Sequence, residues 1–409
     1  MPTINWETGS YTVPGKENDK STFRVTVGSD WGALWGYAEP MQRDALAVYG
    51  DLLPILQESD FNIVNVECAL GDKGAPVKKA GPNLRGAAGT ERCLTAVPFH
   101  LGTLSNNHIM DFGPDSLEET IGVLHNNGIK TVGAGMSLEE AAQPAIVQIK
   151  NATLGIINCG EGEACASIDG RAGANPFHVP AIVQQIHTLK TQVDAVVVIF
   201  HGGREYAPCP PPYVVDGLRQ FAEAGADAVI GHHPHVPQGI EIHQGTPIAY
   251  SQGNFVFLQD APNGALYFKR SGYLIHLDFA GKELREFSIT PYRLKPEGVF
   301  ALQGDEKTQL LDELKTVSAY LDDPRAIRYL WDAFVDNVGQ KGMLGTIHNM
   351  QSLFEEDAET GAARLHNLFF CPAHRELYLN GLKRLSRGEL GNSPQWAKDL
   401  VADWGKRLL

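Results

Sequence analysis

Positive charge is in short supply in this sequence. Across 409 residues, 34 lysines and arginines stand against 48 aspartates and glutamates, a net charge of −14. A balance this acidic argues against a protein that wraps nucleic acid or lies on anionic lipid by bulk charge. Cysteine is sparse too. The six (Cys68, Cys93, Cys159, Cys165, Cys209 and Cys371) are too few for a disulfide framework in a chain this long, and none forms a CxxC pair. They read as buried free thiols in a reducing compartment. No stretch reaches the roughly 18 apolar residues of a membrane span, and the first twenty residues lack an apolar run after a basic start. The expectation is a soluble, cytoplasmic protein with no integral membrane segment.

What is present is an ordinary globular composition, 43% hydrophobic and 20% charged. Residues 1–22 read as a polar arm. From Phe23, β-branched runs alternate with helical stretches. FRVTV, FNIVNVE, TLGIIN, AVVVIF and ADAVIG read as strands, the last three buried on both faces. Asp44–Glu58 has helical period, a helix opens at Pro114, and Tyr213–Gly225 is an amphipathic helix with glycine at its C-cap. After Pro234 the strands (GIEIH, TPIAYS, SGYLIHLDF, LREFSITPY) follow one another without helices, and from about Asp305 the pattern is helical. This predicts a domain over 23–300, a sheet covered by helices, with a helical region over 301–409. Trp331, Phe369, Phe370, Trp396 and Trp404, at helical spacing, are expected in its core.

The polar residues sit at strand ends. The runs finish in Asp30; in Asn65 and Glu67; in Asn106, Asn107 and His108, with Asp111 beyond; in His201 and Glu205; and in His232, His233 and His235. Ligands bind at the carboxyl ends of strands in sheets with helical crossovers. Singly, each has an ordinary explanation: an aspartate after a strand caps a helix, and Asn-Asn-His makes a turn. Together they predict a metal centre. Imidazole, carboxylate and amide oxygen without thiolate suit Zn, Mn or Fe(II), and the surplus of ligands suggests two divalent ions about 3.5–4 Å apart, which activate water and clamp a leaving oxygen.

Read in order, GSDW, NVE, SNNHIMDFG, HGGREY, AGADAVIGHHPHVPQGIE and IAYSQGNFVF resemble the CapA family of poly-γ-glutamate capsule biosynthesis proteins, itself similar to the calcineurin-like metallophosphoesterases. The resemblance covers roughly 23–260. It implies a four-layer α/β/β/α sandwich carrying the C-terminal helices as an appendage. It also implies metal ligands at Asp30, Glu67, Asn107, His201, His233 and His235, with His108 acting near the leaving group; Asp111, three residues on, is placed to orient that ring. Three departures stand out. The Asp-x-His of the phosphoesterases is Asp30-Trp31-Gly32, glutamate replaces the bridging aspartate, and Ser29 precedes Asp30. One ion thus lacks an imidazole, with Glu205 or His232 as candidates to complete its site.

The loop over 72–92 carries Lys73, Lys78, Lys79, Arg85 and Arg92 against Asp72 and Glu91, and four glycines, with Gly71 just before it. With Arg204, its Lys78, Lys79 and Arg85 are candidates to bind an anionic small molecule or polycarboxylate. Two readings follow: a two-metal hydrolase acting through metal-bound hydroxide on a γ-glutamyl amide or a phosphoester, or a non-catalytic accessory of capsule synthesis or export, working with capsule-synthesis partners. Cys371-Pro-Ala-His374 has ligand-like spacing but no partner pair, and is read as structural.

Overall fold

The computed structural model describes residues 3–162, 171–258 and 270–408. Cys165 and part of the Asn158–Cys165 segment lie outside them. Two sheets face each other. The first runs Ser10–Thr12, Glu283–Lys295, Ser271–Ala280, Phe23–Trp31, Phe61–Val66, Phe99–Thr103, Lys130–Val132. Its last four strands are mutually parallel and the rest antiparallel. The second runs Ile240–His243, Thr246–Ala249, Ala228–His232, Ala195–His201, Ala152–Gly160, Ala145–Ile149, with its four inner strands parallel.

Alternation along the strands assigns the faces. Val25, Val27, Ile63 and Leu101 of the first sheet meet Leu154, Ile156, Val197, Ile199 and Ile230 of the second in one core between the sheets. Outside the first sheet, Val64 and Val66 pack with Tyr37, Leu56, Leu117 and Leu124 from covering helices. Outside the second, Val196, Val198 and Phe200 pack on Ile186, Leu218 and Phe221. The chain is therefore a four-layer α/β/β/α sandwich. The helices of the C-terminal region join these layers. Gly304–Ala319 places Leu310, Leu311 and Leu314 in the core between the sheets, and Ile327 and Leu330 of Pro324–Glu356 join the outer core of the second sheet.

Several sequence expectations need correction. Asp44–Glu58 is not one helix. Helix Trp35–Arg43 is followed by a 3-10 turn, Ala47–Leu52, and a short helix, Leu53–Glu58. Gly50, at φ 50°, interrupts the run; a Cβ there would lie 2.3 Å from the Val299 carbonyl oxygen. Within 1–22, Ser10–Thr12 pairs with the edge of the first sheet and Tyr11 is buried. Of the tail aromatics, Trp331 and Trp404 are buried, but Phe369, Phe370 and Trp396 are 64%, 45% and 41% exposed. Periodicity marks one face of a helix without saying whether anything covers it.

Candidate metal centre

The parallel strands of both sheets end at the same edge of the sandwich, and the polar residues after them converge there. In Phe23–Trp31 the register shifts between Val27 and Asp30. Strict alternation would put Trp31 between the sheets; instead it packs in the outer core and donates from Nε1 to the Tyr49 hydroxyl. Asp30 is thereby turned to the inner gap, where its Oδ1 lies 3.7 Å from His201 Nδ1. His201, in phase with Val197 and Ile199, points into the same gap from the second sheet. Its Nε2 lies 3.4 Å from Glu67 Oε1 and 2.9 Å from Asn107 Oδ1.

His233 and His235 come from a turn after Ala228–His232. Sequence suggested an extended segment stiffened by proline. Instead both residues are left-handed, at φ 95° and 58°, a conformation costing on the order of 1–3 kcal/mol per non-glycine residue. Their rings lie 5.8 Å apart, with His233 4.9 Å from the His201 ring. Asp30, Glu67, His201, His232, His233, His235 and Glu205 form overlapping groups of three whose ligand atoms lie within 4.8 Å of one another. Asn107, one amide away on His201, joins them.

The electrostatics call for cations. Asp30 and Glu67 are fully buried, and burial pushes both carboxyls above their usual range, Asp30 further still through the charge of Glu67. Neither Glu67 oxygen has a hydrogen-bond partner among the described residues, nor has Nδ1 of His232 or His233. Burial holds His201 and His233 well below the normal imidazole range and His232 at about 4, leaving all three neutral at pH 7. Buried, unpartnered carboxylate and imidazole atoms facing one gap are the donor set of a divalent ion. The residues fit.

Asn65, already placed at a strand end by the sequence, and Asn254 and Gln252, which the sequence left without a role, set this geometry. Asn65 Nδ2 donates to Asp30 Oδ1 at 2.8 Å and approaches His201 Nδ1 at 3.2 Å. His235 Nδ1 bonds Asn254 Oδ1 at 2.8 Å, which leaves Nε2 toward Glu205, 3.8 Å away. His232 Nε2 bonds Gln252 Oε1. Asn65 lies at the end of a strand just as the ligands do, whereas Asn254 opens the short strand Asn254–Val256, and only contact tells supporting residue from ligand. At position 32, where an imidazole would complete the Asp-x-His pattern, there is no room. A Cβ on Gly32 would meet Phe257 at 2.9 Å and Leu34 at 3.0 Å, and Phe257 stacks on His235.

His108 lies beside the cluster, its Nδ1 2.7 Å from Asp111 Oδ2. Lys79 is 9% exposed and packs against them, donating to Asp111 Oδ1 and to the Asn107 carbonyl. Lys78 pairs with Asp357 of the C-terminal region at 2.6 Å. Arg85 donates to the carbonyls of Asp72 and Lys73 and lies 3.7 Å over the Phe112 ring. Of the anion candidates, Arg204 is adjacent to Glu205, and its buried Nε has no acceptor among the described residues. Glu161, which sequence reasoning left without a role, is buried nearby, bonded to the backbone of Gly203, the residue before Arg204. It accepts from the Tyr213 hydroxyl and the Gly203 amide, and burial pushes it up to about 7.

Among the described residues, no helix is long and apolar enough to cross a membrane, and the five described cysteines are free and buried. Residues 28–259 match the family model described as bacterial capsule synthesis protein PGA_cap. The chain is 33% identical over 241 residues to the PGA biosynthesis protein CapA of Bacillus subtilis (strain 168), covering 58% of this chain and 60% of that protein. It is 28% identical over 287 residues to a probable polyglutamine synthesis accessory protein of Mycobacterium tuberculosis (strain ATCC 25618 / H37Rv), covering 66% and 72%. Among solved structures, 5′-nucleotidase from Candida albicans SC5314 aligns at TM-score 0.37 and 12% identity, over 73% of this chain and 58% of that one.

Proposed function

The chain belongs to the bacterial capsule synthesis protein family PGA_cap, and from that premise we propose that it is a metal-dependent hydrolase of an anionic substrate, with a γ-glutamyl amide preferred over a phosphoester. The observation that carries the reading is the convergence of Asp30, Glu67, Asn107, His201, His233 and His235 at one edge of the sandwich, beside a hydrogen-bonded His108–Asp111 pair. Two divalent ions held there would supply the Lewis acidity that activates water and polarises the scissile group. His201, His233, His235, Asp30 and Glu67 would hold them, with Glu205 or His232 filling the place that position 32 leaves.

The remaining roles belong to the chain itself. Asp111 accepts from His108 Nδ1, which fixes the ring and leaves Nε2 to pass a proton to the departing group. Arg204 offers a buried, unaccepted N–H to a substrate oxygen. The missing imidazole at position 32 favours a second reading, a non-catalytic accessory of poly-γ-glutamate synthesis or export.

Metal analysis of the purified chain, followed by assay against oligo-γ-glutamate and p-nitrophenyl phosphate, separates the two. Turnover that disappears on chelation and in His108→Ala supports hydrolysis. Protein that holds metal but turns over neither substrate supports the accessory role.

A further inference from the structure

A cavity of about 270 Å³ lies between residue 80 and the helices after Gly339, lined by side chains of three of them. Two short chains of contact tie it to the metal centre from opposite sides. Ala80 on its wall follows Lys79, which donates to Asp111 and to the Asn107 carbonyl. His374 on the facing wall lies 3.5 Å, Nδ1 to Nη1, from Arg204, the residue before Glu205. The cavity is therefore linked to the His108–Asp111 pair through Lys79 and to the ligand cluster through Arg204.

Its lining is one-sided in chemistry. Arg364, Asn349, Asn367 and His374 bring donors, Met350 and Leu353 bring apolar surface, and no aspartate or glutamate takes part. Arg364 has no ion pair among the described residues. A guanidinium and amides above an aliphatic floor match a carboxylate on a short hydrocarbon stem. The volume is close to the lower limit of ligand pockets, on the order of 300 Å³, which suits one or two such units rather than a long run.

We propose that the C-terminal helices hold a carboxylate subsite beside the metal centre, which seats the γ-glutamyl unit next to the scissile bond. This rests on the polyanion reading above and adds to it. The helices lie outside residues 28–259, so the subsite is a feature of this chain's own C-terminal region rather than of the family-matched segment.

Calorimetric titration of the metal-loaded full chain with tri-γ-glutamate, and with the same peptide whose α-carboxylates are converted to amides, tests it. The parent is expected to bind the acid form at least about tenfold more tightly, a difference of about 1.4 kcal/mol. Arg364→Ala and Asn367→Ala, both on a solvent-facing helix, should each reduce that preference severalfold while metal content stays at the parental level. Full preference retained in both variants would overturn the subsite and leave the substrate reading standing. A parent that binds neither peptide would overturn both.

Discussion

His108 Nδ1 stands 2.7 Å from Asp111 Oδ2, three residues along the chain, so that one carboxylate governs the orientation of the ring. Asp111 is itself held by the Leu84 amide at 2.6 Å and by the Lys79 ammonium. His108→Ala should lower turnover by roughly 10²–10⁴-fold, the range for a general acid or base, with metal content unchanged. A variant that loses metal instead would make His108 a ligand.

Lys79 and Asp111 form a buried ion pair. Removing one partner of such a pair costs about 3–5 kcal/mol, because the other charge is left uncompensated. Lys79→Met should therefore destabilise strongly in urea unfolding, and Lys79→Met combined with Asp111→Asn should cost less than the sum of the two. Additive losses would mean that the two groups do not interact in solution.

Divalent ions should raise the thermal midpoint in a concentration-dependent way, by the equivalent of about 2.7 kcal/mol at a hundredfold excess over the dissociation constant. The cause is the relief of the buried Asp30 and Glu67 carboxylates. Glu67→Gln should shrink the shift. An equal shift in that variant would place the ions elsewhere.

Position 32 offers a steric test. Gly32→His would supply the imidazole of the Asp-x-His pattern, but Phe257 and Leu34 occupy its space. Loss of about 1–3 kcal/mol is expected, with no gain in bound metal per chain. A stable variant with a higher metal stoichiometry would show that the first site was waiting for this ligand.

Glu161 should make stability fall as pH rises. Its folded value of about 7 exceeds the ordinary 4.5. Below about pH 4.5 both states bind the proton and its contribution is complete. Between 4.5 and 7 only the folded state keeps the proton, so the contribution is lost at up to about 1.4 kcal/mol per pH unit. Glu161→Gln should thus be more stabilising relative to the parent at pH 8 than at pH 5. A difference independent of pH would sink the assignment.

Strand ends made most of the metal cluster readable from sequence. Apolar runs such as AVVVIFH announce a buried strand, and a histidine at the end of one has few other places to point. Lys79, Glu161 and His374 were not readable in the same way. Lys79 looks like any loop lysine until Asp111 is seen 32 residues away, and His374 reaches Arg204 across 170. The arginine and lysines of the 72–92 loop are the reverse case. Composition marked them as anion candidates but said nothing of the partners that Lys78, Lys79 and Arg85 each have within the chain. Helix period likewise marked the tail without revealing that Phe369 and Phe370 stay open to solvent.

The ligands divide between the two halves of the sandwich in a way that orders assembly in time. Asp30, Glu67 and Asn107 follow strands of one sheet; His201, His233 and His235 follow strands of the other, well over a hundred residues after Asp30. No short stretch of nascent chain contains a complete set, so an ion meets only isolated weak donors until both sheets have docked. Loop closure over such distances is slow, and binding then becomes part of the folding free energy. Metal should accordingly be the last component to enter, arriving as a clasp across a seam that has already closed. A chain starved of metal during synthesis should then be fully rescued by adding the ion after purification.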